Sequence, residues 1–548
     1  MLNNIELFNK AINSFLEEEI NPKKKSKKVF VLRNEQSENF FDKVNTYSSL
    51  KNLFFKFYYS GYDNNLNFKI QKYDITILWL DYSKYKINKN FFIWIKDKIE
   101  MLGSCGKYVL VKPIILPNIP FAKLEKINKF FFKTINSDKV VFLNFLREYK
   151  SNSHSYWDLE RSELFGTNVS MHGQNLHSKL LGLKYLPSLY LQKIKAIIFD
   201  LDDTLYSGTI GEDGIKKIKL DKYQTKAREY YKALYKNGTI LSICSKNNKS
   251  DTDLIFKKKF LDKKIFFPIK SNWDPKYKNI INIQKQLNIS YKNILFIDNN
   301  ISEILSVKKN IKEINVFWAN DSASFLNCLK FYPNLTNILS SDDDETNKKR
   351  IQDLKANKKR ENFFSSNKNN LKDLKMELNF RLNNYKEIER IFSITNKVNQ
   401  FIFSYKRFDK SQIREYLKTK NRFVFTISLK DKFSDSGNVA VLYFTKDNDD
   451  LILNEVCVSC RALGRNLENA FIFEPVKILS QKNKIKNFFI EFKKGEKNKP
   501  AEIYFKKLFE KNNKNKKIVN KKKYLLHVKN FMNYYKNDSS ITRKYSIR

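Results

Sequence analysis

Three carboxylates, Asp200, Asp202 and Asp203, stand within four positions directly after the apolar run IKAIIF at 194–199. A carboxylate that attacks phosphorus splits one hard displacement into two easier ones through an acyl-phosphate. A second carboxylate then handles the proton of the leaving group. Asp200 and Asp202 are two apart, so on an extended strand they share a face. Clustered carboxylates repel one another and require a cation, and hard oxygen ligands suit Mg²⁺. Three more residues follow in order. Ser245 ends LSICS (241–245), where a hydroxyl can bind a phosphoryl oxygen. Lys276 in NWDPK (272–276) can neutralise phosphate charge, and Asp298 ends ILFID (294–298) as a further metal ligand. A strand-ending Asp alone is most often a turn or cap residue. The signal is the set, each member after or near its own strand.

Such residues need a scaffold that delivers them together. Parallel strands present the residues at their carboxyl ends to a common crevice. IKAIIF, TILSIC (239–244) and NILFI (293–297) read as buried parallel strands. YQTKAREYYKALYKNG (223–238) and PKYKNIINIQKQLNI (275–289) read as amphipathic helices between them, the first ending at a C′ glycine, Gly238. Between Leu205 and Gly238 there is room for that helix and a short hairpin-like flap around GTIGEDG (208–214), but for no large lid. An open site of this kind admits a long tethered arm. Upstream, VFVLR, ITILWL and YVLVKPIIL predict an α/β domain over 29–185, preceded by a surface helix and the basic linker PKKKSKK within 1–28. Residues 335–385 are charged and read as a connector. RFVFTISL, NVAVLYF, LILNEVCVSC and KNFFIEF predict strands in a last domain over 386–548.

The set resembles the haloacid dehalogenase superfamily of phosphatases and phosphotransferases. DLDDT (200–204) matches its DxDxT motif, and Ser245, Lys276 and Asp298 match the remaining three. The resemblance implies that Asp200 is the nucleophile, Asp202 the general acid/base, and Thr204 the residue that orders the loop. It implies Mg²⁺ held by Asp200, the Asp202 carbonyl and Asp298. LYSGTIGEDG (205–214), CSKNN (244–248), NWDPKYKNI (272–280), FIDNN (296–300), TNKVNQF (395–401), LKDKFSDSG (429–437) and SCRALGRNLE (459–468) resemble the FkbH-like family, over roughly 150–480. That resemblance implies an α/β multidomain chain. It would comprise an SGNH-hydrolase-like domain over 29–185, a Rossmann-like phosphatase domain over 190–334 with a small flap, and an acetyltransferase-like (GNAT) α+β domain over 386–548. Characterised relatives take a glyceryl unit from 1,3-bisphosphoglycerate, remove phosphate and load the unit onto an acyl carrier protein; others serve surface-polysaccharide pathways. This chain departs from the family at Asn299, where a second aspartate is usual, and at Tyr206–Ser207, where Trp-Gly is usual.

Arg461, Gly464 and Arg465 lie in RALGRN (461–466), which resembles the GNAT loop whose backbone N–H groups hold a pyrophosphate at a helix N-terminus. Phosphopantetheine or CoA is the group this implies, with Asn466 in place of the final small residue. An inert scaffold is the alternative. Tyr504 falls where such enzymes place a general acid, but a core aromatic is the plainer role. Cys457 and Cys460 form a lone CxxC without further ligands, and Cys244 alternates into a strand core. The first domain has no Gly-Asp-Ser motif, and His154 has no Asp three residues before it, so a docking or structural role is expected there. His172, His177 and His527 fit no ligand spacing.

The 548 residues carry a net charge of +45, with lysines scattered through every segment. Scattered charge reads as solvated surface, which disfavours nucleic acid and remains compatible with an acidic carrier protein. Five cysteines suit a reducing cytoplasm rather than a disulfide scaffold, and no stretch approaches a membrane span. The expected function is a Mg²⁺-dependent phosphatase/acyltransferase that loads a carrier. Two alternatives stand beside it: a phosphatase on a free metabolite or sugar precursor, and a non-catalytic basic binding module.

Overall fold

The computed structural model describes residues 26–49, 53–62, 64–135, 137, 139–160, 162–335, 352–356, 359–360, 363, 371–459, 461–463, 465–496, 498–510, 517–520, 523–527, 532 and 541–546. The N-terminal helix expected within 1–28, Cys460 and Gly464 lie outside them, apart from residues 26–28. The chain divides into two compact units, 1–343 and 344–548.

The first unit holds two parallel sheets. In the first sheet, β1 (Lys27–Arg33), β2 (Phe55–Tyr59), β3 (Ile75–Trp79), β4 (Tyr108–Val111) and β5 (Val140–Phe142) run in the order β2-β1-β3-β4-β5. Alternate residues feed opposite faces, as the period of two requires. Val29, Val31, Ile75, Ile77 and Trp79 pack on one side with Phe40 and Leu180. Phe30, Leu32 and Leu78 pack on the other with Phe91, Ile95 and Ile99 of the helix Lys89–Cys105. β2 and β5 were not among the sequence expectations. FKFYY and VVF are too short to show a pattern of their own. The order 2-1-3-4-5 is shared by many doubly wound folds and does not single out an SGNH hydrolase. At the carboxyl edge of this sheet, Lys112 pairs with Glu35 at 2.9 Å, and Thr167 donates to Glu35 at 2.6 Å. Both members of the pair are buried.

The second sheet is built from β6 (Ala196–Phe199), β7 (Ile240–Ser245), β8 (Phe266–Ser271), β9 (Ile294–Asp298) and β10 (Asn315–Trp318), in the order β10-β9-β6-β7-β8. Every pairing is parallel. The chain builds outward from β6 to β8, then returns to lay β9 on the other side of β6. The crevice of such a sheet opens where that order reverses, between the carboxyl ends of β6 and β9. The helix Lys222–Lys236 starts on a capping box between Asp221 and Gln224. It stops where Gly238 turns left-handed at φ 84°. Between the two sheets, Ile194 N donates to the Asn334 carbonyl and Asn334 N to the side-chain hydroxyl of Ser188.

The second unit is one mixed α+β sheet. Its strands are β11 (Met376–Leu382), β12 (Phe401–Ile402), β13 (Arg422–Lys430), β14 (Asp435–Asp447), β15 (Asp450–Val458), β16 (Asn487–Glu491), β17 (Lys517–Asn520), β18 (Lys523–His527) and β19 (Ile541–Ser546). The order is β17-β18-β16-β15-β14-β13-β11-β19. β11 lies inside the stretch read as a connector. Met376, Leu378 and Phe380 alternate into the core, a pattern of three that the flanking charge run obscures in the sequence. β16 joins β15 in parallel only along Asp450–Leu453. Beyond that, β12 takes the same edge of β15 at Cys457 and Val458.

Candidate active site

Strand β6 ends at Phe199, so Asp200 begins the loop rather than continuing the strand. Asp203 then turns left-handed at φ 50°. Both carboxylates therefore lie beyond β6, and the shared strand face expected of Asp200 and Asp202 is not part of the strand. Asp200 N still donates to the Ile297 carbonyl of β9 at 3.0 Å, which fixes the nucleophile candidate against its neighbouring strand.

Lys276 opens the helix Lys276–Leu287, and its ammonium reaches back under the sheet edge. Nζ lies 2.8 Å from Asp200 Oδ1 and 2.6 Å from Asp298 Oδ2. All three groups are at least 95% buried. Burial raises the pKa of both carboxyls, with Asp298 pushed up to about 7. Burial works the other way on Lys276, but the two carboxylates prevail and hold its ammonium above the ordinary lysine range. The second oxygen of Asp298 accepts from Asn300 N at 2.9 Å. The carbonyl of Asn299 accepts from Trp318 Nε1 at 2.8 Å.

Asp202 stands at the rim. Its Oδ1 accepts from Tyr206 Oη at 2.6 Å and Ile210 N at 3.2 Å, and its Oδ2 accepts from Asn247 Nδ2 at 2.8 Å. Burial first, then Asp202 itself, hold the Tyr206 phenol well above its usual range, so it serves as a donor. Ser245 ends β7 as expected, and its Oγ accepts from Asn247 Nδ2 at 3.0 Å. Thr204 is fully buried, and its Oγ1 has no partner among the described residues. The flap is short: Ser207 and Lys219 exchange backbone hydrogen bonds at 2.9 and 3.2 Å around the helical turn Ile210–Asp213. The fold therefore brings Asp200, Asp202, Thr204, Ser245, Lys276 and Asp298 to one strand edge. Asn247, within CSKNN, has no role in the motif set. No spacing rule marks an amide that acts through a carboxylate.

Asp200, just past β6, and Asp298, at the end of the neighbouring β9, offer hard oxygens that converge on one cationic nitrogen. That donor chemistry fits Mg²⁺. Among the described residues no three His, Cys, Asp or Glu side chains gather as a metal cluster.

The remaining candidates fall elsewhere. Arg465 was read as a cofactor contact, but its side chain is buried in ion pairs with Asp353 and Asp431, each at 3.0 Å. Arg360 braces both carboxylates at 3.2 and 2.8 Å. The Arg465 guanidinium is thus held by Asp353 and Asp431. Arg461 lies beside Ser459 and the Asn438 carbonyl. Asn466 is left-handed at φ 55°, just before the helix Glu468–Lys482. Tyr504 donates to Asn469 at 2.8 Å and packs against the core. Cys244 and Cys457 are buried, and burial pushes both thiols up, away from thiolate chemistry. His154 is exposed on a short 3₁₀ turn, His172 meets Asn152 at 3.2 Å, and His177 is buried against Tyr156 at 2.7 Å. His527 closes β18.

No protein-family model and no curated protein matches this chain. Among solved structures, it resembles the N-terminal part of the protein BF1531 from Bacteroides fragilis, which contains a phosphatase domain and was solved with Mg. The identity is 19%, covering 60% of this chain and 99% of that one, at a TM-score of 0.44. It also resembles spermidine N-acetyltransferase from Vibrio cholerae in complex with CoA and spermine, at 8% identity over 28% of this chain and 98% of that one, TM-score 0.22. The GNAT domain of S. lividans PAT follows at 14% identity over 27% and 88%, TM-score 0.21. Among the described residues, no helix is long and apolar enough to cross a membrane.

Proposed function

We propose that the protein is a Mg²⁺-dependent phosphoryl-handling enzyme that works through an aspartyl-phosphate at Asp200 and supplies an acyl unit to an acyl carrier protein. The observation that carries the phosphoryl reading is the Lys276 ammonium bridging Asp200 and Asp298 at 2.8 and 2.6 Å, at the switch point of a parallel sheet. Asp200 attacks phosphorus. Lys276 balances the charge that builds as an anionic nucleophile meets an anionic phosphoryl group. Ser245, at the next strand tip, donates to a phosphoryl oxygen. Asp202 gives a proton to the departing oxygen and takes one from the water that later frees the phosphate. Mg²⁺, held by Asp200, Asp298 and the Asp202 carbonyl, would supply the charge neutralisation that lets the two anions approach.

The carrier step rests on the FkbH-like motifs. In a donor such as 1,3-bisphosphoglycerate the two phosphates have separate fates. The phosphoester is cleaved at Asp200, and the acyl-phosphate carbonyl takes the carrier's phosphopantetheine thiol with release of inorganic phosphate. The net charge of +45 favours an acidic carrier. The test is to incubate the protein with 1,3-bisphosphoglycerate, Mg²⁺ and holo carrier proteins and to read the carriers' intact mass, with Asp200→Asn as control. A glyceryl adduct lost in the variant supports the proposal. Phosphate release without an adduct reduces it to a phosphatase on a free metabolite, and neither phosphate nor adduct overturns it.

A further inference from the structure

Asp202 is held from two sides by residues that no motif assigns. Its Oδ1 takes the Tyr206 hydroxyl at 2.6 Å and the flap amide of Ile210 at 3.2 Å. Its Oδ2 takes Asn247 Nδ2 at 2.8 Å. The Asn247 amide has two N–H bonds to give. The second goes to Ser245 Oγ at 3.0 Å. One side chain therefore ties the proton-handling carboxylate to the phosphoryl-binding hydroxyl. Because Ser245 Oγ accepts from Asn247, its own O–H is left to donate toward a phosphoryl oxygen.

Neither residue is free to wander. Asn247 is buried, and its carbonyl accepts Ser271 Oγ at 2.9 Å, which meets Thr252 Oγ1 at 2.6 Å. That chain of hydroxyls locks the tip of β7 to β8. Tyr206 is fully buried and meets the ring of Phe260 edge-on at 5.8 Å. A tyrosine here supplies a fixed hydroxyl at a place where an indole would supply none. Effective proton transfer demands a carboxyl oxygen within hydrogen-bond reach of the reacting oxygen, and a displacement of about 1 Å can cost on the order of 100-fold.

We infer that Asn247 and Tyr206 are positioning residues that aim Asp202 at the leaving-group oxygen of the substrate, with Asn247 also setting the direction of the Ser245 hydroxyl. This rests on the phosphoryl-transfer reading above. The role has a signature that a merely structural role lacks. A poor alkoxide leaving group needs the proton from Asp202, whereas a p-nitrophenolate leaves with little help. The experiment measures kcat and KM on 3-phosphoglycerate and on p-nitrophenyl phosphate for the full chain, Tyr206→Phe, Asn247→Ala and Asp202→Ala. Tyr206→Phe keeps the ring that packs on Phe260.

Tyr206→Phe and Asn247→Ala are expected to lower the ratio of kcat/KM on the alkyl ester to kcat/KM on the aryl ester at least tenfold, in the direction of Asp202→Ala, because kcat/KM reports the step in which the leaving group departs and not the later hydrolysis common to both esters. An unchanged kcat/KM ratio in Tyr206→Phe overturns the inference while leaving the phosphoryl-transfer reading intact. A wild-type chain that releases phosphate from neither ester overturns both.

Discussion

Lys276 is the residue on which the site's electrostatics turn. Its ammonium separates two buried carboxylates that would otherwise face each other across a strand edge. Removing one partner of a buried ionic cluster typically costs about 3–5 kcal/mol, because the charges left behind stay desolvated. Lys276→Met is therefore expected to lower the urea midpoint and to reduce phosphate release at least 100-fold. Asp200→Asn should abolish turnover while leaving the circular dichroism spectrum unchanged, since Asn preserves the shape of the side chain. His177 offers a test of the pH response. It is buried among Phe40, Trp79 and Phe145, and burial first, then Lys112, hold it well below the ordinary histidine value. Below about pH 6.5 the unfolded chain takes up a proton at His177 that the folded chain refuses, so the contribution of this group to stability falls as pH drops, by up to about 1.4 kcal/mol per pH unit. Asp298, raised to about 7, takes up a proton on folding in the same window and works the other way. The measurement is therefore the difference in urea-unfolding free energy between the protein and His177→Gln, which should fall as pH drops from about 7.5 to about 5.5.

At the scale of elements, close packing leaves little slack. The helical stretch Leu181–Tyr185 lies against the helix Val44–Ser48, and the contact point is Gly182. A Cβ there would sit 2.6 Å from the Val44 carbonyl oxygen and 2.7 Å from Tyr47 Cβ. Backbone cannot yield as a flexible side chain does. Gly182→Ala is expected to cost about 1–3 kcal/mol, read as a lowered urea midpoint with an unchanged m-value. In the second unit the element of interest is the segment from β12 onward. Glu455 is buried and accepts from Phe403 N, Ser404 N and Lys406 N at 2.9, 3.0 and 2.6 Å. Asn498 ties Ile402 and Lys493 together at 2.9 and 3.0 Å. The chain's own backbone thus fills the fork where β16 departs from β15.

For the whole molecule, every residue proposed for phosphoryl transfer, from Asp200 to Asp298, belongs to the unit 1–343. A fragment of residues 1–343 is expected to release phosphate from 3-phosphoglycerate at a rate within about threefold of the full chain. Loss of activity in a folded fragment would assign the second unit a part in that chemistry. The net charge makes a separate prediction for carrier loading. Long-range attraction to an acidic partner is screened as salt shortens the Debye length from about 10 Å at 0.1 M to about 3 Å at 1 M. The KM for a carrier should therefore rise with ionic strength, while the KM for p-nitrophenyl phosphate should change far less.

The sequence by itself determined the parallel strands β6, β7 and β9 and the order of Asp200, Ser245 and Asp298 at their ends. A buried parallel strand must be a short apolar run, and its last residue is where polarity resumes; both are local facts. The strands β2 and β5, and β11 inside its charged surroundings, were too short or too diluted to read. Tertiary structure alone decided three things: that Lys276 bridges Asp200 and Asp298, that Asn247 and Tyr206 grip Asp202, and that Arg465 turns inward to Asp353 and Asp431. The reason is the same for each. A buried charge or amide must find partners wherever the fold brings them, across separations of 22, 45 and 112 residues in these clusters. Spacing along the chain encodes which residues end a strand, but only packing decides which of them meet.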